Sequence, residues 1–428
     1  MTTELSVAPA AAGLPEEPHP AGRHSRSWIV TVLAILLALV IGNLMVVFSD
    51  QQVRTDLGYF FSSPGDAIRD GWFTFRDAFI ALFEGAIFDP THAGTLTQVF
   101  APICNSIYTA TPLIAAGLSV ALAFRAGLFN IGGNGQVIAG AFGSGYVGLI
   151  VELPPVIHLV VAIAAGVAAG ALWGFIAGFL KARTGAHEVI TTIMLNYVAG
   201  FGLLYMLTRK SIVAPANPQA SKPIHGTARL PHLFGSTERI DLGILLALGA
   251  AAFVWWLLGK STAGFRLRAV GVNPAAARTA GMSVGAVTML AMALAGGLAG
   301  LAGTTLALGG GTSYVVTPNI ASNVGFDAIT VALLGRSRPW GVVAAGLLFG
   351  ALRTGGAQMQ AASTIHAPID IITVVQALIV IFIAAPKLVE NIFRLRRLGI
   401  PPVATATTNL AMAIGDVRAA RVPRHIAA

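Results

Sequence analysis

Ten apolar runs, each about 20 residues long, alternate with polar segments along the chain. A run of about 20 apolar residues crosses the hydrocarbon core of a bilayer as an α-helix. Hydrophobic residues make up 55% of the sequence and charged residues only 11%, whereas soluble domains carry roughly 25% charged residues. The sequence therefore predicts an all-α polytopic membrane protein of about ten transmembrane helices. The predicted spans, of which the first is the N-terminal transmembrane helix, are 28–48, 99–124, 130–151, 156–180, 188–208, 240–259, 284–308, 319–335, 340–358 and 368–386.

The charges that flank these runs predict the orientation. With the N-terminus inside, about twice as many Lys and Arg residues fall on the inner side of the membrane as on the outer side. Arg353 is counted with the outer side. Cytoplasmic loops carry such an excess. We therefore expect a multi-pass protein of the inner (cytoplasmic) membrane, surrounded by lipid, with both termini in the cytoplasm. The formal charge of +9 follows from this bias, so nucleic acid is not expected as a partner.

The segments outside the runs predict the domain organisation. Residues 1–27 are rich in Ala, Pro and Glu, which is typical of a disordered tail, and residues 387–428 form a second cytoplasmic tail. Residues 49–98 carry apolar residues at near-helical spacing beside charged ones, which predicts an amphipathic helix on the outer membrane surface. Residues 209–239 contain prolines and polar breaks and should form an outer loop. The core is 99–386.

Patterns associated with catalysis or cofactors are weak. Cys104 is the single cysteine, so one chain can form no disulfide or Cys-based metal site. "GKST" at Gly259–Thr262 lacks the glycine that a phosphate-binding loop needs five residues earlier. "GSGYVG" at Gly143–Gly148 lies inside a predicted span, where small residues favour helix contact over a dinucleotide site. We expect no catalytic residue, metal or cofactor.

Glycines at four-residue spacing mark the fourth predicted span. They would lie on one ridge of a helix and let a neighbouring backbone approach closely. The pattern predicts tight helix packing in a compact bundle. The glycines are Gly166, Gly170, Gly174 and Gly178.

The segment "GLFNIGGNGQVIAG", Gly127 to Gly140, places amides and glycines where a lipid-embedded chain should be apolar. Lipid cannot satisfy a free N–H or C=O, so irregular backbone at membrane depth occurs only inside protein or beside a watery cavity. Asn130, Asn134 and Gln136 therefore predict a broken helix at the pathway of a polar solute. A second interpretation remains open, in which these amides join helices together.

A second polar segment, "TPNIASNVGFDAITVALLG", spans Thr317–Gly335. It carries Asn323, Phe326 and Asp327, and it is entered from the opposite side of the membrane to the first. Two glycine-interrupted segments of opposite sense suggest inverted halves with a site between them. A carboxylate inside a span is a functional candidate, although Asp327 as a helix cap or structural ion pair remains open.

A third segment, "HEVITTIMLNYVAG" from His187 to Gly200, spaces Glu188, Thr192 and Asn196 four residues apart. That spacing puts the three side chains on one face of a helix. Asn196 and Tyr197 lie deeper in the predicted span, where they could reach a polar ligand.

The inner loop 260–284 contains "NPAAARTAG", which predicts a short helix. Asn273 is suited to the N-cap and Pro274 to the first turn, and Gly281 to the end. A short helix on the cytoplasmic side suggests a docking element for another protein.

Four motifs in order now carry a family resemblance. "GVNPAAARTAG", the consecutive residues 271–281, resembles the coupling helix in permeases of ABC importers of the ribose and branched-chain amino acid type. "FRAGLFNIGGNGQ", "HEVITTIMLNY" and "GFDAITVALLGRSRPWG" resemble the nucleoside and simple-sugar branch of that family. The resemblance covers residues 97–386. It makes 99–386 the permease core and 260–284 its coupling loop.

The resemblance implies a permease with a broken-helix core and two inverted halves. It also implies an ABC ATPase with two nucleotide-binding domains, a second and different permease, and an extracellular substrate-binding lipoprotein. Relatives usually read N-I-G-x-E-G-Q, whereas Asn134 stands here in place of the acid. The residues implied for ATPase coupling are Asn273, Pro274, Ala276, Ala277, Arg278 and Gly281.

The favoured hypothesis is a permease that imports nucleosides by alternating access, driven by ATP hydrolysis on the partner. Amides can pair with ribose hydroxyls and base edges, and aromatic rings can stack on the base. The same machinery with ribose, another simple sugar or a branched-chain amino acid remains open. An ATPase-independent secondary transporter or channel is a further alternative, and a membrane enzyme lacks clustered titratable groups. The candidate pathway residues are Phe129, Asn130, Asn134, Gln136, Asn196, Tyr197, Asn323, Phe326 and Asp327.

Overall fold

The computed structural model describes residues 24–90, 96–215, 217–233, 239–309, 314–361 and 370–393. This part of the chain is built from helices and one small sheet. The helices are α1 (His24–Ser49), α2 (Gln51–Gly58), α3 (Pro64–Ala86), α4 (Leu96–Arg125), α5 (Gly133–Ile150), α6 (Pro155–Thr184), α7 (Glu188–Leu207), α8 (Gly243–Lys260), α9 (Thr262–Val272), α10 (Pro274–Thr279), α11 (Val284–Leu308), α12 (Val324–Leu334), α13 (Pro339–Ala361), α14 (Asp370–Ala384) and α15 (Pro386–Ile392).

The chain divides into two compact units, residues 1–37 with 385–428 and residues 38–384. In the first unit, the structure describes the beginning of α1 together with α15. The predicted tails 1–27 and 387–428 lie almost entirely outside the described residues. The second unit contains every candidate pathway and coupling residue.

Long apolar helices dominate the described residues. Seven of them, α1, α4, α6, α7, α8, α11 and α13, are long and apolar enough to cross a membrane, and an eighth results if α14 and α15 count as one broken span. The chain is a multi-pass membrane protein.

Two predicted spans have a different form in the structure. The run 130–151 is α5, whose first turn is rich in glycine and amides, and it does not meet the length and apolarity of a spanning helix. The run 319–335 contains the eleven-residue α12, preceded by turns at 318–323. Both helices start late because the glycine- and asparagine-rich residues before them favour turns over helix.

Helix α4 lies at the centre of the second unit. It packs against α11, α12 and α13, and its middle residues, such as Leu113, Leu118 and Leu122, are fully buried. The helices that carry the polar segments therefore share one apolar core with the longest spans.

The glycine ridge of α6 packs directly against α11, which confirms the prediction of close helix packing. A Cβ at Gly170 would overlap the backbone of Gly296 and Gly300, and one at Gly178 would lie 2.9 Å from the Met292 Cβ. The matching ridge on α11 comes from "AGGLAGLAG", which the sequence reading did not single out. Glycines on both helices allow the two backbones to touch.

"GSGYVG" also serves helix packing, as expected. All six residues lie within α5. A Cβ at Gly143 would lie 2.7 Å from that of Ala169, and one at Gly148 would lie 2.8 Å from Ile224. α5 is thereby held between α6 and the segment that follows α7.

The segment 209–239 is more ordered than the predicted loop. It contains an antiparallel pair of short strands, β1 (Val213–Ala214) and β2 (Asn217–Ser221), and a 3-10 turn at Gly226–Ala228. The Ser221 backbone N–H donates to the Val316 carbonyl at 2.9 Å, and the Ser221 hydroxyl accepts from the Val316 N–H at 2.8 Å. The loop prediction was wrong here because hydrogen bonds to residues near 316 stabilise strands that local composition disfavours.

The described residues 50–90 contain two helices, α2 and α3, and the apolar residues at near-helical spacing beside charged ones lie in α3. In α3, Ala78, Ala81 and Leu82 are buried, whereas Trp72 is exposed. The second half of α3 packs on α13, where a Cβ at Gly85 would lie 3.0 Å from the Gly355 Cα. The amphipathic pattern is present, and the predicted location on the outer membrane surface remains a prediction.

We expect Gly300→Ala to destabilise the bundle. A Cβ at this position would lie 2.6 Å from the Gly166 carbonyl oxygen and 2.9 Å from the Gly170 Cα, and such overpacking costs about 1–3 kcal/mol. Thermal unfolding of the purified protein in detergent measures the effect. Gly200→Ala on α7 is the matched control, because nothing lies within 4 Å of its Cβ position and the change alone favours helix by about 0.5–1 kcal/mol. Equal melting temperatures for the two variants would contradict the packing account.

Candidate functional site

The helical path is broken between α4 and α5. α4 ends at Arg125, and Gly127 takes a left-handed conformation with φ of 70°. α5 begins at Gly133, and its N-cap residue, Gly132, has no side chain that could accept a capping hydrogen bond. Residues 126–132 thus form a non-helical connection between α4 and α5, and a broken helix at the pathway of a polar solute stays a prediction.

An amide pair closes the break from within. The Asn130 Nδ2 donates to the Gln136 Oε1 at 2.9 Å, and the Gln136 Nε2 donates back to the Asn130 Oδ1 at 3.2 Å. The same Asn130 oxygen accepts the Gly132 N–H at 3.1 Å. Both side chains are only 1% exposed, so the two amides satisfy each other inside the protein and also satisfy one backbone donor, the Gly132 N–H.

Asn196 on α7 forms two hydrogen bonds to the backbone of this segment. Its Oδ1 accepts the Gly135 N–H at 2.7 Å, and its Nδ2 donates to the Ile131 carbonyl at 3.0 Å. A Cβ at Gly135 would lie only 2.9 Å from the Asn196 Oδ1, which explains why glycine stands there. One side chain of α7 thus satisfies a donor and an acceptor of the broken backbone.

The predicted shared face of α7 is present in the structure. Thr192 and Asn196 are buried on this face. Glu188 lies at the beginning of α7, where it pairs with the Lys181 ammonium at 2.6 Å. Glu188 therefore serves the junction between α6 and α7.

The two polar segments meet where α5 and α12 begin. A side chain at Gly325 would overlap the backbone of Gly133 and Asn134, and a Cβ at Gly133 would lie 3.1 Å from the Gly325 carbonyl oxygen. Two helix N-termini therefore touch backbone to backbone. Each of the two N-termini carries a partial positive charge, which suits the oxygen and nitrogen acceptors of a polar solute.

Two amide side chains at this crossing take no part in the hydrogen bonds described above. The Asn134 Oδ1 is buried and has no hydrogen-bond partner among the described residues. Asn323 precedes α12 in a left-handed conformation with φ of 63°, makes no side-chain cap and is exposed. A non-glycine residue in this conformation is uncommon and often marks a functional segment.

The three candidate aromatic rings are partly open. Phe129, Tyr197 and Phe326 are 45%, 61% and 43% exposed. Phe129 also lies 5.0 Å, centroid to centroid, from Phe124. Their exposed faces can take part in stacking. Such stacking breaks no hydrogen bond or ion pair within the described residues.

Asp327 forms an ion pair with Arg353 on α13. The sequence reading counted Arg353 with the outer flanks, whereas the structure places it within α13, facing α12. The side chains are 20% and 29% exposed. A charge inside a membrane protein is costly unless it is paired, and this pairing corresponds to the structural interpretation of Asp327.

The coupling-loop motif forms the expected short helix. The Asn273 Oδ1 caps α10 by accepting the N–H groups of Ala275 at 3.0 Å and Ala276 at 3.1 Å. Pro274 opens α10, and Gly281 follows it with φ of 80°. Ala277 is the buried residue of α10, and the other motif residues, including Arg278, are exposed. α10 is therefore a surface helix anchored by one small side chain.

The sequence reading missed a buried carboxylate at Asp241, just before α8. Its Oδ1 accepts the Gly243 N–H at 2.8 Å, and its Oδ2 has no hydrogen-bond partner among the described residues. His232 lies across a β-bridge from Asp241, and this placement leaves no sequence pattern.

We expect Asn196→Ala to lower the free energy of unfolding by about 1–3 kcal/mol, because it leaves the buried Gly135 N–H and Ile131 carbonyl without partners. The neighbouring variant Tyr197→Ala is the control, since that side chain is mostly exposed. Thermal unfolding in detergent compares them. A loss of stability at Tyr197 as large as that at Asn196 would show that α7 is sensitive for another reason.

Comparisons with known proteins identify the family of the chain. Residues 103–384 match the model of the family described as branched-chain amino acid transport system, permease component. The guanosine ABC transporter permease protein NupP of Bacillus subtilis is 38% identical over 362 residues, covering 83% of this chain and 93% of NupP.

Two further relatives carry different cargo names. The nucleoside ABC transporter permease protein NupB of Lactococcus lactis is 36% identical, covering 67% of this chain and 80% of NupB. The glucose ABC transporter permease protein TsgB13 of Haloferax volcanii is 34% identical, covering 72% of this chain and 80% of TsgB13. The family match over residues 103–384 and this extent of similarity show that the chain belongs to the permease-component family of branched-chain amino acid transport systems and is a transport subunit.

Proposed function

We propose that this chain is the transmembrane permease subunit of an ATP-driven ABC importer for nucleosides. The observation that carries the proposal is the similarity to a guanosine permease over 93% of that relative's length. The similarity to a second nucleoside permease supports the same cargo class. Hydrolysis of ATP takes place on a partner subunit.

The crossing of α5 and α12 is the proposed cargo contact. Asn134 and Asn323 supply uncommitted amides there, which can pair with ribose hydroxyls or base edges. Phe129, Tyr197 and Phe326 supply rings for the base. Asn130, Gln136 and Asn196 act in this proposal as the frame, because their hydrogen bonds hold the backbone of the break. Asp327, held by Arg353, fixes α12 beside that frame.

Movement reaches the crossing from the coupling helix. In this proposal, ATP binding closes the two nucleotide-binding domains of the partner ATPase, and α10 follows the domain on which it docks. α10 is joined to α9 on one side and to α11 on the other, and α11 packs against α4, α5 and α6. Because interiors are densely packed, a displacement of α10 shifts these helices as a group, and the pathway opens alternately to the two sides.

The wider architecture is also part of the proposal. It has ten membrane passages, with α5 and α12 among them, and two inverted halves whose polar segments enter from opposite sides. Both termini lie in the cytoplasm, residues 49–98 lie outside the cell, and the tails 1–27 and 387–428 lie within it. The half-open rings Tyr197 and Phe326 support a second, different permease that completes the pathway wall. An extracellular lipoprotein receptor delivers the cargo.

A second candidate cargo has an observation of its own. The similarity to a glucose permease supports a simple sugar carried by the same machinery, with ribose and branched-chain amino acids as further members of that alternative. A sugar shares the hydroxyl groups of a nucleoside and lacks the flat base. The half-exposed ring of Phe326, which follows Gly325 at the crossing, therefore favours the nucleoside.

We expect cells that lack this chain to lose uptake of labelled uridine and to regain it on complementation. Unlabelled adenosine and guanosine should compete, whereas ribose and leucine should not, because only nucleosides combine hydroxyls with a base. Strains without other nucleoside carriers exclude redundancy. Competition by ribose alone, or loss of leucine uptake instead of uridine uptake, would contradict the nucleoside assignment and leave the importer assignment standing.

We expect Arg278→Glu to weaken co-purification of the ATPase and to uncouple its hydrolysis from cargo, because the exposed face of α10 carries this charge. Arg54→Glu on α2 is the control, since it reverses an exposed charge far along the chain from the coupling loop. The measurement is transport-stimulated ATP hydrolysis in proteoliposomes. Unchanged stimulation in Arg278→Glu would remove α10 as the coupling element, and a secondary transporter would then be favoured.

A further inference from the structure

A polar cavity of about 420 Å³ lies beside the crossing, among α3, α4, α13 and the residue Arg239 before α8. Cavities of about 300–1,000 Å³ commonly hold small molecules. The sequence reading named none of the α3, α4 or pre-α8 residues that line it. We call it the α3/α4/α13 cavity.

Close contacts between backbones hold its walls in place. The Ser106 hydroxyl on α4 donates to the Ala86 carbonyl of α3 at 2.7 Å. A Cβ at Gly350 on α13 would lie 2.7 Å from that of Ala110 on α4. Three helices pinned at these points cannot collapse to fill the space between their polar side chains, so the cavity belongs to the fold.

Charged side chains of both signs line the cavity. They are Arg239, Arg353, Glu84 and Asp89, and Arg353 is already paired with Asp327. A neutral solute with several donors and acceptors can meet partners of both kinds there. The lining thus fits an uncharged, hydrogen-bonding solute.

The uncharged residues of the lining narrow the class of solute further. Asn105 and Thr109 on α4 supply an amide and a hydroxyl, and Tyr108 between them supplies an aromatic ring. All three are partly buried. Amide, hydroxyl and ring together match a solute that carries both hydroxyls and a flat heterocycle.

Arg353 joins the cavity to the crossing. The residue lines the cavity, and its guanidinium forms the ion pair with Asp327 on α12. Asp327 stands two residues after Gly325, where α12 touches α5. The Arg353–Asp327 ion pair therefore connects the wall of the cavity to the start of α12.

We propose that the α3/α4/α13 cavity is a separate subsite of the permease, which holds a nucleoside before or after it contacts the crossing of α5 and α12. The assignment of a nucleoside rests on the proposed function. Asn105, Tyr108 and Thr109 bind the solute directly in the cavity, and Arg353 positions α12 beside it.

Cysteine protection tests the subsite in the intact importer, reconstituted in proteoliposomes. Cys104 is the chain's single cysteine, so Cys104→Ala gives a background in which Thr109→Cys is the one thiol of this subunit. The rate at which a water-soluble maleimide labels this subunit is followed with guanosine or with sucrose. Thr55→Cys on α2 is the matched control, because Thr55 is exposed and lies outside the cavity.

Guanosine should slow labelling at Thr109→Cys severalfold and leave labelling at Thr55→Cys unchanged. Uptake in the Thr55→Cys vesicles, in which the cavity lining is unchanged, separates the two claims. If guanosine is transported and labelling at Thr109→Cys is unaffected, the subsite is overturned and the proposed function stands. If no nucleoside is transported, the proposed function and the nucleoside subsite both fall.

A second variant avoids reliance on labelling. Asn105→Ala should raise the KM for guanosine about tenfold, the effect of losing one well-placed hydrogen bond to a solute, with little change in the maximal rate or in melting temperature. An unchanged KM would overturn direct binding by Asn105. A lowered melting temperature with unchanged KM would assign Asn105 to the fold alone.

Discussion

The N–H and C=O groups of residues 131–135 need hydrogen-bond partners that lipid cannot supply, and the structure around the break depends on meeting that need. Asn196 supplies a donor and an acceptor, and Asn130, which is paired with Gln136, accepts the Gly132 N–H. Because α7 provides one of these amides, it is fixed beside α5. Because Gly133 and Gly135 leave room, α12 and α7 approach the backbone of α5 directly.

Close approach through glycine is the second general constraint. The α6/α11 ridges and the Gly133/Gly325 crossing are both backbone contacts, which dispersion forces favour when side chains are absent. Charges inside the bundle are few in the described residues, and the one between α12 and α13 is paired. A dense apolar body with polar groups at a few places, the crossing and the α3/α4/α13 cavity among them, is a suitable scaffold for moving a polar solute without opening the whole bundle.

Much of this could be predicted from the sequence, and the failures have physical causes. Long apolar runs, the α6 glycine ridge and the cap and end of α10 are local signals. The partners of Asn130 and Asn196 leave no local signal, because an asparagine in a sequence is the same letter whether its amide binds a solute or the backbone. The hairpin β1–β2 depends on Val316, about a hundred residues away, and the Arg353–Asp327 pair joins two helices. The α3/α4/α13 cavity is invisible to sequence because three distant segments line it.

The most direct test of the account is a cryo-electron microscopy reconstruction of the complete importer with bound guanosine. The account predicts density for the nucleoside within hydrogen-bonding reach of Asn134 or Asn323, beside the open face of Phe326, while Asn196 keeps its bonds to Gly135 and Ile131. Nucleoside density remote from both the crossing and the α3/α4/α13 cavity would contradict it. So would a break whose amides turn toward the solute and leave the backbone unpaired.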